Sequence, residues 1–184
     1  MIDKKKRDDK FLTLPNIILM LVSAVLIVLA DQVVRLPADV QGEGGLFAVA
    51  VMLVAVGFIR HAGTATLISL IAGVLSELID AGAWGFLYTV GTMTVVGVGI
   101  DLALWIMGKD RQVVIWVIAG CMGNLLHFIA KWLHSIVAGV PASLVPNAIP
   151  TSAFQHVLFG LIGGLMAFIA FVIIQRILSQ ATNV

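Results

Sequence analysis

The sequence predicts an all-α membrane protein with six transmembrane helices in one integral membrane domain over residues 1–184. Two observations carry this prediction. Hydrophobic residues make up 60% of the 184 residues, charged residues only 11%, and the mean hydropathy is +1.09, which excludes an ordinary soluble domain. Eight of the 21 charged side chains fall within residues 1–10. The remaining chain therefore reads as apolar stretches separated by short polar breaks.

The first predicted span, 14–35, follows a cytoplasmic basic tail at 1–12. Its apolar run is about 20 residues long, which is the length that a bilayer requires. Lys4 to Arg7 followed by an apolar stretch ending at Ala30 is also typical of a signal peptide. We favour an uncleaved helix over cleavage after Ala30.

The next two spans, 44–59 and 63–81, are separated by Arg60 and His61. Both are short and interrupted by glycine, so they are expected to tilt or to be partly re-entrant. Breaks at 82–83, at 109–111 and in the proline-containing segment 139–150 then delimit the last three spans. Those spans are predicted at 84–108, 112–138 and 152–178.

The distribution of Lys and Arg predicts that both termini lie in the cytoplasm, in the cell membrane. With this orientation only Arg35 and Lys131 lie towards the outside. Nine basic residues lie inside: Lys4, Lys5, Lys6, Arg7, Lys10, Arg60, Lys109, Arg111 and Arg176.

Most of the intramembrane polar residues map to the outer half of the predicted bundle. Ionisable groups in the membrane are costly and indicate a functional site by default, so this distribution predicts a small-molecule pocket open to the outside. The residues are Asp31, Glu77, Asp80, Trp84, Tyr88, Asn124, His127, Lys131, Trp132, His134, Gln155 and His156.

The fifth span carries four of these residues as one stripe. Asn124, His127, Lys131 and His134 are spaced three, four and three apart, which places them within a narrow arc of a helix. Lipid does not accept such a stripe, so it must face the bundle interior. It either lines a pocket or forms a hydrogen-bonded seam with Lys131 reaching the outer interface.

Glu77 has two interpretations: it recognises an amino-bearing or cationic ligand, or it forms a structural ion pair with Lys131 across the bundle. Trp84 and Trp132 are also explained by an interfacial aromatic belt. Tyr88 is the better candidate for stacking on a flat ring. The candidate substrate-binding residues are Glu77, Tyr88, Asn124, His127, Lys131, Trp84 and His156.

The sequence offers little support for a catalytic centre, a metal site, a cofactor or nucleic-acid binding. His127 and His134 are seven residues apart, about 10.5 Å along a helix, which is too far to share an ion. Nucleotide-binding loops and hydrolase motifs are missing from the sequence. Asp101, in the inner half of span four, is interpreted as a packing or coupling residue rather than a catalytic one.

Three short stretches resemble the substrate-capture (S) subunits of energy-coupling factor (ECF) transporters, most closely the YkoE-type branch linked to thiamin or its hydroxymethylpyrimidine precursor. The first runs from Arg60 through a Gly/Ala-rich helix to Glu77. The others are Gly97-Val98-Gly99-Ile100-Asp101 and Ala119-Gly120-Cys121-Met122-Gly123. The similarity covers most of residues 45–178.

The resemblance implies a protein that does no chemistry itself. It would bind a vitamin-like compound from outside and topple in the membrane when docked to a transmembrane coupling subunit and two cytoplasmic ATPases. The family's small-residue docking surface on helix one is not clean here, and helix three offers such a face instead, with Ala65, Ser69, Ala72, Gly73 and Ser76. The alternatives are a free-standing proton-coupled carrier or channel subunit, and a small membrane enzyme with His127 or His156 as base.

Overall fold

The fold is a bundle of α-helices, as the apolar pattern predicts. The computed structural model describes residues 11–33, 43–79, 85–108, 112–138 and 149–182. Within these ranges it contains six helices and no strand. They are α1 (Leu14–Val33), α2 (Glu43–Ile59), α3 (Thr64–Ile79), α4 (Phe86–Met107), α5 (Val113–Val137) and α6 (Ile149–Ala181).

Four helices in this part of the chain, α1, α4, α5 and α6, are long and apolar enough to cross a membrane. They indicate a membrane-embedded protein. Six crossing helices were predicted, and of the six helices described only these four are long enough to cross. The other two, α2 and α3, have 17 and 16 residues. At 1.5 Å per residue each measures about 25 Å, less than the roughly 30 Å of the hydrocarbon core.

The helices differ in how extensively they pack against one another. α5 packs most extensively on α6, α3 on α4, and α4 on α5, while α2 lies against α6 and α1 covers α2 and α3. An aromatic group joins α2, α5 and α6 towards the start of α5. There the Phe171 ring lies 5.1 Å from the Phe58 ring and 4.9 Å from the Trp116 ring. Gly57 leaves the room for both Trp116 and Phe171.

Asp101 of α4 caps the first turn of α3. Its carboxylate accepts hydrogen bonds from the Thr66 backbone N–H at 2.8 Å, from the Thr66 hydroxyl at 2.7 Å and from the Ala65 N–H at 3.4 Å. These N–H groups have no partner within their own helix, and the N-terminal end of a helix dipole favours a negative charge. The interpretation of Asp101 as a packing residue therefore has a physical basis in this contact.

The small-residue face of α3 is covered by its own bundle. Ala65, Ser69, Ala72, Gly73 and Ser76 are all buried. A Cβ on Gly73 would lie 3.0 Å from the Val90 Cα of α4, and a Cβ on Gly97 of α4 would overlap Ala65 and Ser69. The expectation that this face docks a coupling subunit is therefore wrong, because α4 already occupies it.

Candidate functional site

Helices α5 and α6 cross at close range through glycine. A Cβ on Gly120 would overlap the carbonyl oxygen of Gly160, and one on Gly164 would lie 2.5 Å from the Trp116 carbonyl oxygen. Gly160 and Gly164 are four residues apart, the spacing that lets two helix backbones approach in a membrane. The two backbones hold the side chains beside this crossing in a fixed relation.

Three buried polar side chains lie near the crossing, and we call them the central polar cluster: Asn124 and His127 of α5 and His156 of α6. Their exposed fractions are 0%, 6% and 2%. The two imidazole centroids are 5.8 Å apart with the rings nearly perpendicular, and the Phe128 ring lies 5.5 Å from His156. The stripe predicted on α5 thus faces the bundle interior at its first two positions.

The tautomer of His156 follows from the hydrogen bond of its Nδ1. Its Nδ1 lies 2.8 Å from the Ser152 carbonyl oxygen. A carbonyl only accepts, so Nδ1 carries the proton and donates it. In the neutral imidazole, Nε2 then holds a lone pair, and this buried atom has no hydrogen-bond partner among the described residues.

Asn124 is the most deeply buried member of the cluster. Neither its Nδ2 nor its Oδ1 has a partner within the described part of the chain, and the same is true of His127 Nδ1. Buried polar side-chain atoms are paired in the large majority of cases. These four atoms lack the hydrogen bonds that buried polar groups normally make, and this makes the three side chains the candidate site.

The first turn of α2 adjoins Asn124. A Cβ on Gly45 would overlap the Asn124 amide, and one on Gly163 would lie 2.8 Å from the Leu46 carbonyl oxygen. The short helix α2 thus begins beside the middle of α5 and α6. The N-terminus of a helix carries a partial positive charge and backbone N–H donors, so α2 adds these to the surroundings of the cluster.

Lys131 lies one turn beyond His127 and is half-buried. Its charge acts on both His127 and His156, and it is attracted to the carboxylate of Asp31 on α1. The sequence interpretation placed Glu77 opposite Lys131. Among the described residues, Asp31 is the carboxylate that acts on the Lys131 charge.

The remaining predicted site residues lie around this centre. Glu77 is half-buried near the end of α3, whose main neighbours are α4 and α1. The Tyr88 ring lies 4.2 Å from the His134 ring, which joins the start of α4 to the end of α5. Trp132 is half-buried, and its Nε1 has no partner within the described ranges. Trp84, Asp80 and Arg35 lie outside the described residues.

Two relations were missed from sequence: the pairing of His127 with His156, and the contact of Gly45 with Asn124. Both join residues distant in the chain, and no spacing rule links them. The consecutive glycines 44–45 at the start of α2 were the only local signal of a close approach. Within the described ranges no group of three His, Cys, Asp or Glu side chains is placed to hold a metal ion.

Comparison with known proteins adds no assignment: no family model, no curated protein and no solved structure matches this chain. The geometry of the central polar cluster therefore carries the functional proposal.

Proposed function

We propose that this chain is the ligand-binding subunit of a membrane importer and that its ligand occupies the central polar cluster. The observation that supports this is the set of four buried, unpartnered polar atoms on Asn124, His127 and His156. Each such atom costs about 1–3 kcal/mol when it is left unpaired. A ligand that supplies the missing hydrogen bonds removes this cost, which gives the site affinity without any catalytic group.

The finer form of the proposal is a substrate-capture subunit similar to those of ECF importers, in the cell membrane with both termini cytoplasmic. It binds a small vitamin-like compound, with thiamin or its pyrimidine precursor as the first candidate. A transmembrane coupling subunit and two ATPases would supply the energy. The resemblance in three glycine-rich stretches supports this form.

Six crossings and a re-entrant α2–α3 pair are both compatible with this orientation, because α4 starts on the outer side in either case. Single cysteines at Gln41 and Asn147 should react with an impermeant thiol reagent from outside, and one at Gln112 should not. In a six-span protein a cysteine at His61 reacts only from inside. In a re-entrant one, it reacts from neither side.

A free-standing proton-coupled carrier is the second candidate. The observation that favours it is the pair of imidazoles 5.8 Å apart, with Lys131 acting on both, since adjacent imidazoles can relay protons. Uptake by the purified protein alone in liposomes, driven by a proton gradient, is the property that separates this candidate from a capture subunit.

The proposal is tested by mass spectrometry of small molecules that co-purify with the protein in mild detergent. We expect a compound enriched with the wild type and with Ser135→Ala, which removes a hydroxyl that donates to the Lys131 carbonyl oxygen of its own helix. It should be lost with Asn124→Leu. Equal recovery of the compound from Asn124→Leu would remove the cluster from the binding site.

A further inference from the structure

The hydrogen-bonding inventory of the central polar cluster defines the kind of group that it accepts. In the neutral imidazole His156 Nε2 is an acceptor, because Nδ1 carries the proton and donates it to the Ser152 carbonyl oxygen. Asn124 offers both a donor, Nδ2, and an acceptor, Oδ1, and neither has a partner among the residues described. A complementary ligand group must therefore donate and accept at neighbouring atoms.

From this inventory we infer that the ligand presents a neutral, planar group with an N–H donor beside a carbonyl acceptor, as in a primary amide or a lactam. The inference rests on the proposed binding function and specifies its substrate class. Such a group forms two hydrogen bonds with the Asn124 amide, and a primary amide has a second N–H for His156 Nε2. With a primary amide, the three atoms on Asn124 and His156 would then be paired, while His127 Nδ1 would keep no assigned partner.

Charged groups of the same shape leave atoms unpaired. A carboxylate has no proton for Asn124 Oδ1 or His156 Nε2, and an amidinium has no acceptor for Asn124 Nδ2. A buried polar atom without a partner keeps its full desolvation penalty. On hydrogen bonding alone, the neutral group is preferred to both ions.

The charges around the cluster point in the same direction. The Lys131 ammonium is attracted to Asp31, so its charge is offset rather than available to an anion. The Lys131–Asp31 pair carries no net charge, so it selects neither kind of ion.

Three probes of the same size separate these cases: benzamide, benzoate and benzamidine. The protein is reconstituted in lipid nanodiscs, and binding is followed by saturation-transfer NMR at millimolar probe concentration. We expect transfer to benzamide in the wild type and in Ser135→Ala, and its loss in Asn124→Leu. Loss of two hydrogen bonds weakens binding by about tenfold to a hundredfold.

A second substitution at position 124, which introduces a negative charge, makes the test more specific. Asn124→Asp keeps the shape of the side chain and replaces the donor by a second acceptor. Selectivity should then move from benzamide towards benzamidine by at least about tenfold, since the amidinium supplies two donors to the new carboxylate. If this variant does not accumulate, the ranking of the three probes on the wild type decides alone.

Preferential binding of benzoate or benzamidine to the wild type overturns the inference, as does transfer to none of the probes. Transfer to benzamide that persists in Asn124→Leu overturns it as well. The proposed function is decided separately by the co-purification experiment. A charged compound recovered there in an Asn124-dependent manner would refute the neutral ligand and leave the binding function in place.

Discussion

The α3–α4 interface and the α5–α6 interface are built alike and treat their polar groups differently. Both are brought close by glycine, Gly97 in the first and Gly120 with Gly160 in the second. Between α3 and α4, Asp101 takes three hydrogen bonds, and the Ser69 hydroxyl contacts the carbonyl oxygens of Thr66 and Thr94 at 2.9 and 3.4 Å. Beside the α5–α6 crossing, Asn124 makes no hydrogen bond that the described residues can supply.

The difference shows that polarity inside a membrane bundle has two uses. Paired groups hold helices together, since the alternative is an unsatisfied group in a dry environment. Unpaired groups destabilise the empty protein, and under the proposed function a ligand supplies their missing partners. The state of pairing, rather than the number of polar residues, therefore separates the structural region from the candidate site.

The largest expected effect is the loss of Asp101. Asp101→Ala leaves the N–H groups of Ala65 and Thr66 without a partner, and hydrogen bonds to a charged acceptor are worth about 1.5–3 kcal/mol each. We expect the free energy of unfolding to fall by about 3–5 kcal/mol and the melting temperature in detergent to fall with it. Asp101→Asn retains one acceptor oxygen and should lose less.

Ligand binding should survive Asp101→Ala at temperatures where the variant remains folded, because the carboxylate belongs to the other interface. Loss of binding in a variant shown to be folded would mean that the two regions are coupled and that the contrast between them is too simple.

The second effect is steric. Gly160→Ala places a methyl group against the backbone of Gly120 and Cys121, and overpacking of this kind costs about 1–3 kcal/mol. Gly91→Ala is the matched control, since nothing lies within 4 Å of its added Cβ. Alanine loses less backbone conformational entropy than glycine when the helix forms, so Gly91→Ala should be more stable than the wild type by about 0.5–1 kcal/mol. Equal melting temperatures for the two variants would contradict the close crossing.

Much of the fold was predictable because it depends on local apolar runs. The six helices of the described ranges begin and end within a few residues of the predicted spans, and α6 extends three residues further at each end. The number of membrane spans was the part predicted less well. The short apolar runs at 44–59 and 63–81 do form helices, but a helix can form without being long enough to cross a membrane. Only the comparison of length with bilayer thickness separates these two properties.

The site was predictable along a helix and not between helices. Periodicity correctly placed Asn124 and His127 on one inward face of α5. Glu77 was one candidate partner for Lys131, with ligand recognition as the other interpretation of Glu77, and the carboxylate that acts on Lys131 in the structure is Asp31. Distances between helices depend on tilt and on where glycines let backbones approach, and neither can be derived from spacing in one sequence.

The third prediction has the opposite sign to the first two. Asn124→Leu removes an amide that is fully buried and has no partner in the described structure, and it replaces the amide by an apolar group of similar volume. We expect the ligand-free protein to gain about 1 kcal/mol of stability while binding is lost. Destabilisation of the empty protein would instead show that Asn124 is structurally paired, as Ser69 is.

The smallest effect concerns which carboxylate serves Lys131. In a double-mutant cycle, Asp31→Asn and Lys131→Met should show a coupling of about 0.5–1 kcal/mol, because the pair is only half-buried and partly screened. Asp31 has a further interaction of its own, so the stability lost in Asp31→Asn exceeds the energy of its interaction with Lys131, and the cycle subtracts the difference. The parallel cycle with Glu77→Gln and Lys131→Met should give a coupling near zero. Glu77 lies on α3 and Lys131 on α5, and α4 packs against both of these helices. A larger coupling for Glu77 than for Asp31, measured by melting in detergent, would restore the pairing predicted from sequence. It would also place α3 beside the candidate site.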